Sequence, residues 1–477
     1  MKQVIEKELK LSVPEGFVLP LLPGQPVGSR RFTSTYFDSK DFRLAMASIT
    51  LRRRLENHKG LWQLKLPKED GRLEVEEPGG PGGPPLAIRS LLYGVLRGAP
   101  LAPIAKIRTA RSGLVAEFNG RKLAEVVLDK FQVMQDNSVV SSFQEVEIEL
   151  MEGGHSDLKD LELVLRRAGA MPGDERPKVF QALDLPAPRQ PKTPRDAPEL
   201  VHIQQAISTQ LDQILRHDPG TRLGSDPEDL HQLRVAVRRL RSYLAAAMPL
   251  LDPAWTAALR HELEWAGDFL NPLRDLDVMV PYFERELNLL EPLDAELLEP
   301  LLDQLRKEHE TIREAMMAEL ASERYIVLLN SLYEATKSMY VRPAGPSLPK
   351  IASTNFRYLR KACSELSSEP TDDQLHRVRI LTKRARFAAE LAAGVTGKAA
   401  DNFLEKAKQV QDVLGEHQDA SVAESRIHAF AAGLSDPSAA FAGGRLAERQ
   451  LARKIAARND FPAALRALLR SGKKTWR

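Results

Sequence analysis

Charged residues recur at every second position in several segments of the N-terminal third of the chain. The earliest segment is VIEKELKLSV, residues 4 to 13, which contains Glu6, Glu8 and Lys10. In a β-strand these three side chains would share one face, because successive side chains point to opposite faces. In the segment LRRRL, Arg52 and Arg54 would share a face in the same way.

The same pattern continues further along the chain. It includes the basic residues Lys65, Arg72, Lys106 and Arg108 and the carboxylates Glu74, Asp129, Glu145, Glu147 and Glu149. A solvated outer face is the ordinary explanation for any one such strand. It fits the whole set less well, because some strands carry only arginine and lysine and others carry mostly carboxylates. This segregation favours a closed barrel whose interior holds an ordered ligand.

The residue types indicate what that ligand would be. Arginine binds phosphate oxygens through its planar fork, and lysine binds them as a point charge. Carboxylates in the same cavity would repel phosphate unless they hold a hard divalent cation such as Mg²⁺ or Mn²⁺, which prefers oxygen ligands. Basic and acidic rows in one cavity therefore imply a complex of metal and polyphosphate.

The elements that would position these residues are mostly short strands. Period-two segments run through the first 185 residues, and DLKDLELVLRRAG at 157–169 is the one clear helix, ended by Gly169. Residues 77–87, EPGGPGGPPLA, form a loop because of their Gly and Pro density. Residues 186–199 are rich in proline and charge and predict a semi-rigid linker between domains 1–185 and 200–477.

The second domain is predicted to be helical and duplicated. Apolar residues recur there with the period of helices that pack on one another. LHQLRVAVRRLR begins at Leu230 and LHRVRILTKRAR at Leu375, an offset of 145 residues, and a second pair of segments repeats at an offset of 144, from Asp268 and Asp412. Two similar bundles, at about 200–340 and 341–477, are therefore expected.

Each copy carries one row of basic residues on a helix, which we call the basic stripe. Its residues are His231, Arg234, Arg238 and Arg241 in the first copy and His376, Arg379, Lys383 and Arg386 in the second. The spacings of three, four and three place each set within roughly 80° around a helix. A solvated helix surface would also explain one such row. Two copies without acidic partners inside the row favour binding of an anion.

The first domain resembles the CYTH domains, also called triphosphate tunnel metalloenzymes. EKELK matches their E-x-E-x-K signature, and the resemblance extends through TYFDSKDFRL at 35–44 to Arg52-x-Arg54, Lys106-x-Arg108 and Glu147-x-Glu149. Lys178 matches a late lysine of the family that usually follows serine, whereas here it follows proline. The resemblance implies an eight-stranded antiparallel tunnel with flanking helices that binds triphosphate together with a divalent metal.

The resemblance also implies roles for individual residues. The phosphate-binding residues would be Lys10, Arg52, Arg54, Lys65, Arg72, Lys106, Arg108 and Lys178. The metal ligands would be Glu6, Glu8, Asp129, Glu147 and Glu149, and the catalytic set would be Glu6, Glu8, Lys10, Glu147 and Glu149. Phosphoryl transfer depends mainly on positioning and charge stabilisation, so little covalent chemistry is asked of the protein.

The second domain resembles the CHAD domains, helical modules found beside CYTH domains. HQLRVAVRRLRSYL is close to their signature, and RDLDV at 274–278 matches the next motif. CHAD domains bind inorganic polyphosphate, so the resemblance assigns the basic stripe to that ligand. A repeating polyanion suits a repeated cationic row.

The expected function is metal-dependent hydrolysis of inorganic triphosphate to pyrophosphate and phosphate, with polyphosphate bound by the helical domain. The alternatives are a non-catalytic polyphosphate-binding scaffold, or a nucleotide triphosphatase, thiamine triphosphatase or adenylate cyclase of the same family. The stripe lacks interleaved aromatic residues, and the chain is only 6% aromatic, which argues against nucleic acid as the partner.

Composition sets the remaining expectations. The chain of 477 residues has a net charge of +3, so any anion site depends on where charges lie rather than on their sum. Its one cysteine permits no intramolecular disulfide. The charged N-terminus lacks a signal-peptide segment, and no apolar run reaches membrane-spanning length. We expect a cytoplasmic protein without a membrane partner. Binding of polyphosphate would allow it to associate with polyphosphate granules.

Overall fold

The computed structural model describes residues 1–68, 71–136, 138–174, 176, 178–185 and 193–476, and it leaves the side chain of Glu6 undescribed. Two compact units make up the chain. One is Met1–Gln190 with Leu215–Leu223, and the other is Pro191–Ile214 with Gly224–Arg477. The first part of the predicted linker, 186–192, lies outside the described residues, and a helix already begins at Glu199.

The first unit is built on one antiparallel sheet. In the described residues its strands are β1 (Lys2–Glu6), β2 (Glu8–Ser12), β3 (Gly24–Asp38), β4 (Thr50–Glu56), β5 (Lys59–Lys68), β6 (Gly71–Pro78), β7 (Ala102–Phe118), β8 (Arg121–Gln135), β9 (Ser138–Leu150) and β10 (Met171–Pro172). Their order across the sheet is β1-β6-β5-β4-β3-β7-β8-β9-β2-β10.

The sheet curls so that its two ends approach each other without closing. β1 is first in the strand order and β2 is last but one, before the two-residue β10, yet only Lys7 separates β1 from β2 in the chain. Two residues of chain span at most about 7 Å, so the end of β1 lies close to the start of β2. The prediction of an antiparallel sheet followed by helices is confirmed. Its details differ: the described sheet has ten strands, and no ladder between described residues joins β1 to β2.

The first predicted strand is divided at Lys7. β1 pairs with β6, so that Glu6 lies opposite Arg72, whereas β2 pairs with β9, so that Glu8 lies opposite Glu149. One continuous charged segment therefore supplies strands near both ends of the curled sheet. The alternation of charge in this segment correctly indicated that Glu8 and Lys10 share the inner face of the sheet. It did not reveal that the pairing partner changes from β6 to β9 at Lys7.

Helices pack on the sheet, mostly on its outer, apolar face. They are α1 (Arg43–Met46), α2 (Leu86–Leu91), α3 (Tyr93–Leu96), α4 (His155–Arg167) and α5 (Lys178–Ala182). Leu51, Trp62 and Val75 pack with Ile88 and Leu92 of α2 and its C-terminal end, and a second cluster packs the β2–β9 side against α4. Val179 and Phe180 of α5 pack with Tyr36, Ile107 and Phe131 on the inner face, and charged residues line most of the rest of that face.

The segment TYFDSKDFRL has a structural role at the end of β3. Both carboxylate oxygens of the buried Asp38 accept backbone hydrogen bonds, from Ser39 and Leu44 to Oδ1 and from Ala45 to Oδ2, at 2.7–2.9 Å. These bonds satisfy amides at the start of α1. Asp38 therefore fixes the turn that leads from β3 into β4.

The second part of the chain is helical. Its helices are α6 (Glu199–Leu223), α7 (Pro227–Ala247), α8 (Pro253–Leu287), α9 (Pro292–Leu320), α10 (Glu323–Lys337), α11 (Leu348–Ser364), α12 (Asp372–Thr396), α13 (Asp401–Ala432) and α14 (Pro437–Thr475), with a 3₁₀ turn at Gly397–Ala399. Asp226 and Thr371 cap α7 and α12 by accepting backbone hydrogen bonds at their N-termini. Local sequence thus sets where the helices of both basic stripes begin.

The duplication reappears as a repeated order of helices. α7 and α12 begin at Pro227 and Asp372, 145 residues apart, and each is followed by a long helix, α8 or α13. α7 contacts α12 and α9 contacts α14, so the two copies pack on each other.

Candidate functional site

The inner face of the curled sheet encloses a cavity of about 370 Å³, which we call the sheet cavity. Its walls are formed by Lys2, Val4, Glu8, Lys10, Arg30, Tyr36, Thr50, Arg52, Arg54, Gln63, Lys65, Arg72, Glu74, Glu76, Arg111, Glu125, Glu147, Glu149 and Lys178. Among these described residues, Val4 is the one aliphatic side chain and Tyr36 the one aromatic ring. The cavity is therefore suited to a small, highly charged ligand.

Most of the predicted site residues come together there. The structure places Glu8, Lys10, Arg52, Arg54, Lys65, Arg72, Glu147, Glu149 and Lys178 on the cavity wall. They come from β2, β4, β5, β6, β9 and the start of α5, segments far apart in sequence. The side chain of Glu6 is not described, but its backbone ends β1 opposite Arg72.

Three predicted residues are placed elsewhere. Lys106 and Arg108 were expected at the phosphates, but both are exposed and neither lines the cavity. They lie an odd number of residues from Arg111 in an unbroken part of β7, so they face outward when Arg111 faces inward. Asp129 was expected to bind metal; it is on the inner face but fully buried and outside the cavity lining, and each of its carboxylate oxygens accepts a hydrogen bond from Arg111.

Arg111 is the principal cavity residue that the sequence analysis missed. Its guanidinium donates to Glu147 at 2.6 Å and to both oxygens of Asp129 at 2.8 and 2.6 Å. What reveals its inward position is strand register, which only the structure supplies: Asp129 lies directly opposite Arg111 on β8, so the two share a face. Gln63 and Glu76 also face inward and were not predicted. Each lies an even number of residues from a predicted inward residue on its own strand, Lys65 on β5 or Arg72 on β6.

Glu147 is the centre of the acidic wall. Lys178 Nζ and Arg111 each donate to it at 2.6 Å, one to each carboxylate oxygen. Burial acts to raise the pKa of Glu147, but Lys178, Arg111 and Lys10 outweigh burial and hold that pKa well below its usual value. Glu147 is therefore a fixed anion at neutral pH. Glu147, Asp129 and Glu145 in turn keep Lys178 charged, since they raise its pKa by more than burial lowers it.

Glu8 stands next to this group on β2. Lys10 Nζ lies 2.7 Å from Glu8 Oε1, and across the ladder Glu8 is opposite Glu149 while Lys10 is opposite Glu147. Burial and the negative Glu147 act to raise the pKa of Glu8, but Lys10 and Lys65 outweigh them, so its pKa is lowered. A second anion is thus held beside the first.

Arginine and lysine dominate the opposite wall. Arg52 donates to Gln63 at 2.9 Å and lies 3.9 Å from Glu74, and Lys65 lies 3.6 Å from the same carboxylate. Burial acts to lower the pKa of Arg52, but Tyr36 and Glu74 raise it further than burial lowers it. The wall therefore stays cationic, as phosphate binding requires.

The donor chemistry of the cavity fits a divalent metal. Glu8, Glu147 and Glu149 bring carboxylate oxygens to neighbouring strands, and Glu74 Oε1 is buried without a hydrogen bond. Such oxygens are the ligands that Mg²⁺ and Mn²⁺ prefer. In the described residues, no three or more acidic, His or Cys side chains are already arranged as a metal site. Glu8 and Glu147 are held by cationic side chains instead.

The basic stripe forms a second candidate site in the helical unit. α7 and α12 contact each other, and cations of the two copies are close enough to interact, as Arg238 does with Arg386 and Lys383 does with Arg234. Arg241 pairs with Glu264 at 3.1 Å, and Arg386 pairs with Glu390 at 2.9 Å, a partner that the prediction of an unneutralised row had overlooked. Arg234 lies 3.5 Å from Asp275.

The middle of the basic stripe has excess positive charge. Within the described part of the chain, the side chains of Arg238 and Lys383 make no ion pair. Burial, Arg379 and Arg238 lower the pKa of Lys383 to about 8. Burial, with Arg234 and Arg386, lowers the pKa of Arg238 to about 10. Cations held together in this way would be stabilised by a bound anion.

Comparisons with known proteins agree with the two-domain organisation. A family model described as the CYTH domain matches residues 4–170, and one described as the CHAD domain matches residues 205–428. "Uncharacterized protein Rv2226" of Mycobacterium tuberculosis (strain ATCC 25618 / H37Rv) is 30% identical over 511 residues, which covers 98% of this chain and 97% of the relative.

Two solved structures are also similar. PptA from Streptomyces chartreusis is 23% identical with a TM-score of 0.49, over 57% of this chain and 100% of that chain. The CHAD domain from the plant Ricinus communis is 27% identical with a TM-score of 0.48, over 59% of this chain and 94% of that chain.

The fold and the sheet cavity define a class of protein, an α+β chain with an ionic cavity for phosphate chemistry followed by a helical domain. With both family models matched in order, this chain belongs to the CYTH–CHAD proteins. CYTH family members are triphosphatases and cyclases that use divalent metals, which places the chain among phosphoryl-transfer enzymes. Among the described residues, no helix combines the length and the apolar character needed to span a membrane.

Proposed function

We propose that this protein hydrolyses inorganic triphosphate to pyrophosphate and phosphate in the sheet cavity, and that its helical unit binds inorganic polyphosphate. The observation that carries the first part is the described lining of the cavity, which combines opposed cationic and acidic walls with one aromatic ring and one aliphatic side chain. Nucleotide and thiamine triphosphates carry a ring that would need an apolar or stacking surface. Inorganic triphosphate needs none.

The cationic wall would bind the phosphate chain. Arg52, Arg54 and Lys65 would contact its oxygens, with Lys10, Arg72 and Arg111 completing the set. Arg111 takes the place that resemblance gave to Lys106 and Arg108. Because these groups are already charged and fixed, they stabilise phosphate charge without reorganising during the reaction.

The acidic wall would hold the metal and the attacking water. Glu8, Glu147 and Glu149, together with Glu6, would supply the oxygen ligands for Mg²⁺ or Mn²⁺, which would neutralise phosphate charge when bound. The strongly lowered pKa of Glu147 makes it a weak proton acceptor, so it serves as a ligand and a positioning group. This favours Glu149 as the residue that orients water or accepts its proton.

A substrate panel tests the enzymatic part. We expect phosphate release from tripolyphosphate to exceed that from ATP, thiamine triphosphate and long-chain polyphosphate, each measured with Mg²⁺ and with Mn²⁺. Release from ATP at a matching or higher kcat/KM would replace the inorganic substrate with a nucleotide. No release from any substrate with either metal would favour the non-catalytic scaffold.

The excess charge around Arg238 and Lys383 supports the proposal for the helical unit. In a pull-down with immobilised long-chain polyphosphate, and with tripolyphosphate added to occupy the sheet cavity, the full chain should be retained. The double variant Arg234→Ala with Arg379→Ala should lose most of this retention. Arg306→Ala with Arg324→Ala removes two exposed arginines elsewhere and should not. Equal retention of both double variants would reject the basic stripe as the binding surface.

A further inference from the structure

A largely buried carboxylate, Glu390, lies at the end of the basic stripe on α12, whereas Glu264, the partner of Arg241 on α7, is 59% exposed. Glu390 lies on α12 four residues beyond Arg386 and accepts a hydrogen bond from Arg386 Nε at 2.9 Å. Across the helix pair it accepts a second bond from the Tyr243 hydroxyl of α7 at 2.8 Å and lies 3.7 Å from Arg239. Two hydrogen-bond donors, one from each copy, and a third cation therefore surround one anion whose side chain is only 15% exposed.

This arrangement is absent from the other copy. The residue that corresponds to Glu390, 145 positions earlier, is Ala245, and the residue that corresponds to Tyr243 is Ala388. The arginine rows themselves are duplicated, with Arg241 matching Arg386 and Arg239 matching Arg384. The duplicated helices thus share their cations but not this anion, and the contact exists only where one copy meets the other.

Glu390 neutralises Arg386 at this end of the stripe. Arg386 donates from Nε to Glu390 and from Nη1 to Gln411, at 3.0 Å, so its guanidinium is already engaged. Arg238 on α7 and Lys383 on α12 each precede the last residue of their row by about one turn, and their pKa values are lowered by burial and by other cations. The positive charges of Arg238 and Lys383 in the middle of the stripe are therefore available to bind an anion, whereas the charge of Arg386 is neutralised by Glu390.

We propose that Glu390 is a built-in anion that ends the polyphosphate-binding surface at Arg386 and so limits how much of the chain is bound. This inference rests on the proposed binding of polyphosphate by the helical unit. Glu390 is a specificity residue in this scheme, since it competes with phosphate for Arg386 and Arg239 and repels the continuing polyanion. Its removal should lengthen the usable cationic surface.

The test measures polyphosphate affinity against salt concentration for the full chain and for Glu390→Gln. The substituted amide keeps one oxygen that can accept from Arg386, and its NH2 group can donate to the Tyr243 hydroxyl, so the change removes the charge and reverses one hydrogen bond. We expect binding about two- to fivefold tighter at near-physiological salt, the effect of removing one partly screened like charge. The slope of log affinity against log salt should steepen by about one, since one more cation contacts the polyanion.

Glu262→Gln is the matched control. It makes the same chemical change in an ion pair with Arg324, at 2.8 Å, that involves no residue of the stripe. It should leave both affinity and slope unchanged. If Glu390→Gln behaves like Glu262→Gln, or binds more weakly, the proposal is wrong. If the unaltered protein binds no polyphosphate, the proposed function fails instead.

Arg386→Ala provides a second measurement, and its comparison with Lys383→Ala in the unaltered background does not depend on how well the Glu390 variant folds. Because Glu390 already neutralises Arg386, this change should weaken polyphosphate binding much less than Lys383→Ala. In the Glu390→Gln background, the same Arg386→Ala change should become costly. Equal losses for Arg386→Ala and Lys383→Ala in the unaltered background would overturn the inference.

Discussion

At the scale of the residue, the sheet cavity depends on anions and cations that hold each other in the charged state. Glu147 is the clearest case, because two cations fix both of its oxygens and lower its pKa. The cost of collecting these groups is offset by the contacts among them. A ligand with both phosphate oxygens and a metal would engage each kind of group in turn.

Glu147→Gln should lower kcat for tripolyphosphate by about 100-fold or more, because the change removes a metal ligand. It also removes the carboxylate that fixes Arg111 and Lys178, so that these two cations would hold the phosphate chain in a non-productive position. Steady-state phosphate release measures the effect, and circular dichroism checks the fold. Glu152→Gln, an exposed carboxylate that does not line the cavity, is the matched control. Near-full activity of Glu147→Gln would remove Glu147 from the site.

Arg111 and Arg108 form a natural pair of variants on one strand. Arg111→Lys keeps the charge but loses the two-pronged guanidinium, so kcat/KM for tripolyphosphate should fall about 10- to 100-fold. Arg108→Lys, on the outward face, should leave kcat/KM within about twofold because it loses no phosphate contact. The reverse ranking would restore the assignment made by family resemblance.

At the scale of the element, helix packing in the second unit depends on where glycines lie. A Cβ added at Gly472 of α14 would come within 2.1 Å of the buried Phe356 ring of α11. At Gly444 of the same helix, apart from the adjoining residues of α14 itself, no described atom lies within 4 Å of an added Cβ. Of these two positions, the packing of the Phe356 ring against α14 therefore requires glycine only at Gly472.

Gly472→Ala should lower the free energy of unfolding of the helical unit by about 1–3 kcal/mol, the typical cost of overpacking. Gly444→Ala should raise the free energy of unfolding by about 0.5–1 kcal/mol, since alanine is the better helix former. Denaturant titration followed by helical ellipticity compares the two. A stabilising effect of Gly472→Ala would show that α11 and α14 separate easily.

Lys383 gives the helix pair α7–α12 a pH dependence. Burial and the neighbouring arginines lower its pKa to about 8, so it loses its charge as pH rises through that value. Polyphosphate affinity should therefore fall between about pH 7 and about pH 9, where ordinary lysines stay charged. Lys383→Arg, which stays charged, should flatten the profile. An unchanged fall in this variant would assign the titration to another group.

At the scale of the whole molecule, two phosphate-binding surfaces of different design are proposed for one chain. The sheet cavity mixes carboxylates with cations, whereas the middle of the basic stripe is cationic. Carboxylates are needed where a metal takes part, and they would only weaken a surface that binds a bare polyanion. The contrast predicts different responses to metal removal.

Chelation of divalent metal with EDTA should abolish tripolyphosphate hydrolysis by the full chain and leave long-chain polyphosphate retention intact. Phosphate release and the pull-down, run on the same preparation, measure the two responses. Added Mg²⁺ or Mn²⁺ should restore hydrolysis. Loss of both functions together under EDTA would mean that the helical surface also needs a metal.

Sequence alone determined the local features of this protein. Alternation of charge indicated which strand faces are ionic, the 145-residue repeat exposed the duplicated helices, and capping residues such as Thr371 set helix ends. These features depend on neighbours a few residues apart. The same local information identified Glu8, Arg52 and Glu147, which the folded sheet brings to one cavity.

Tertiary structure alone decided partners and enclosure. The break at Lys7, the inward face of Arg111 and the burial of Asp129 depend on which strands pair and in what register. The contact between Tyr243 and Glu390 joins residues 147 positions apart and has no counterpart in the repeat. Such choices are made by packing and by charge pairing across the fold, and no pattern within one segment specifies them.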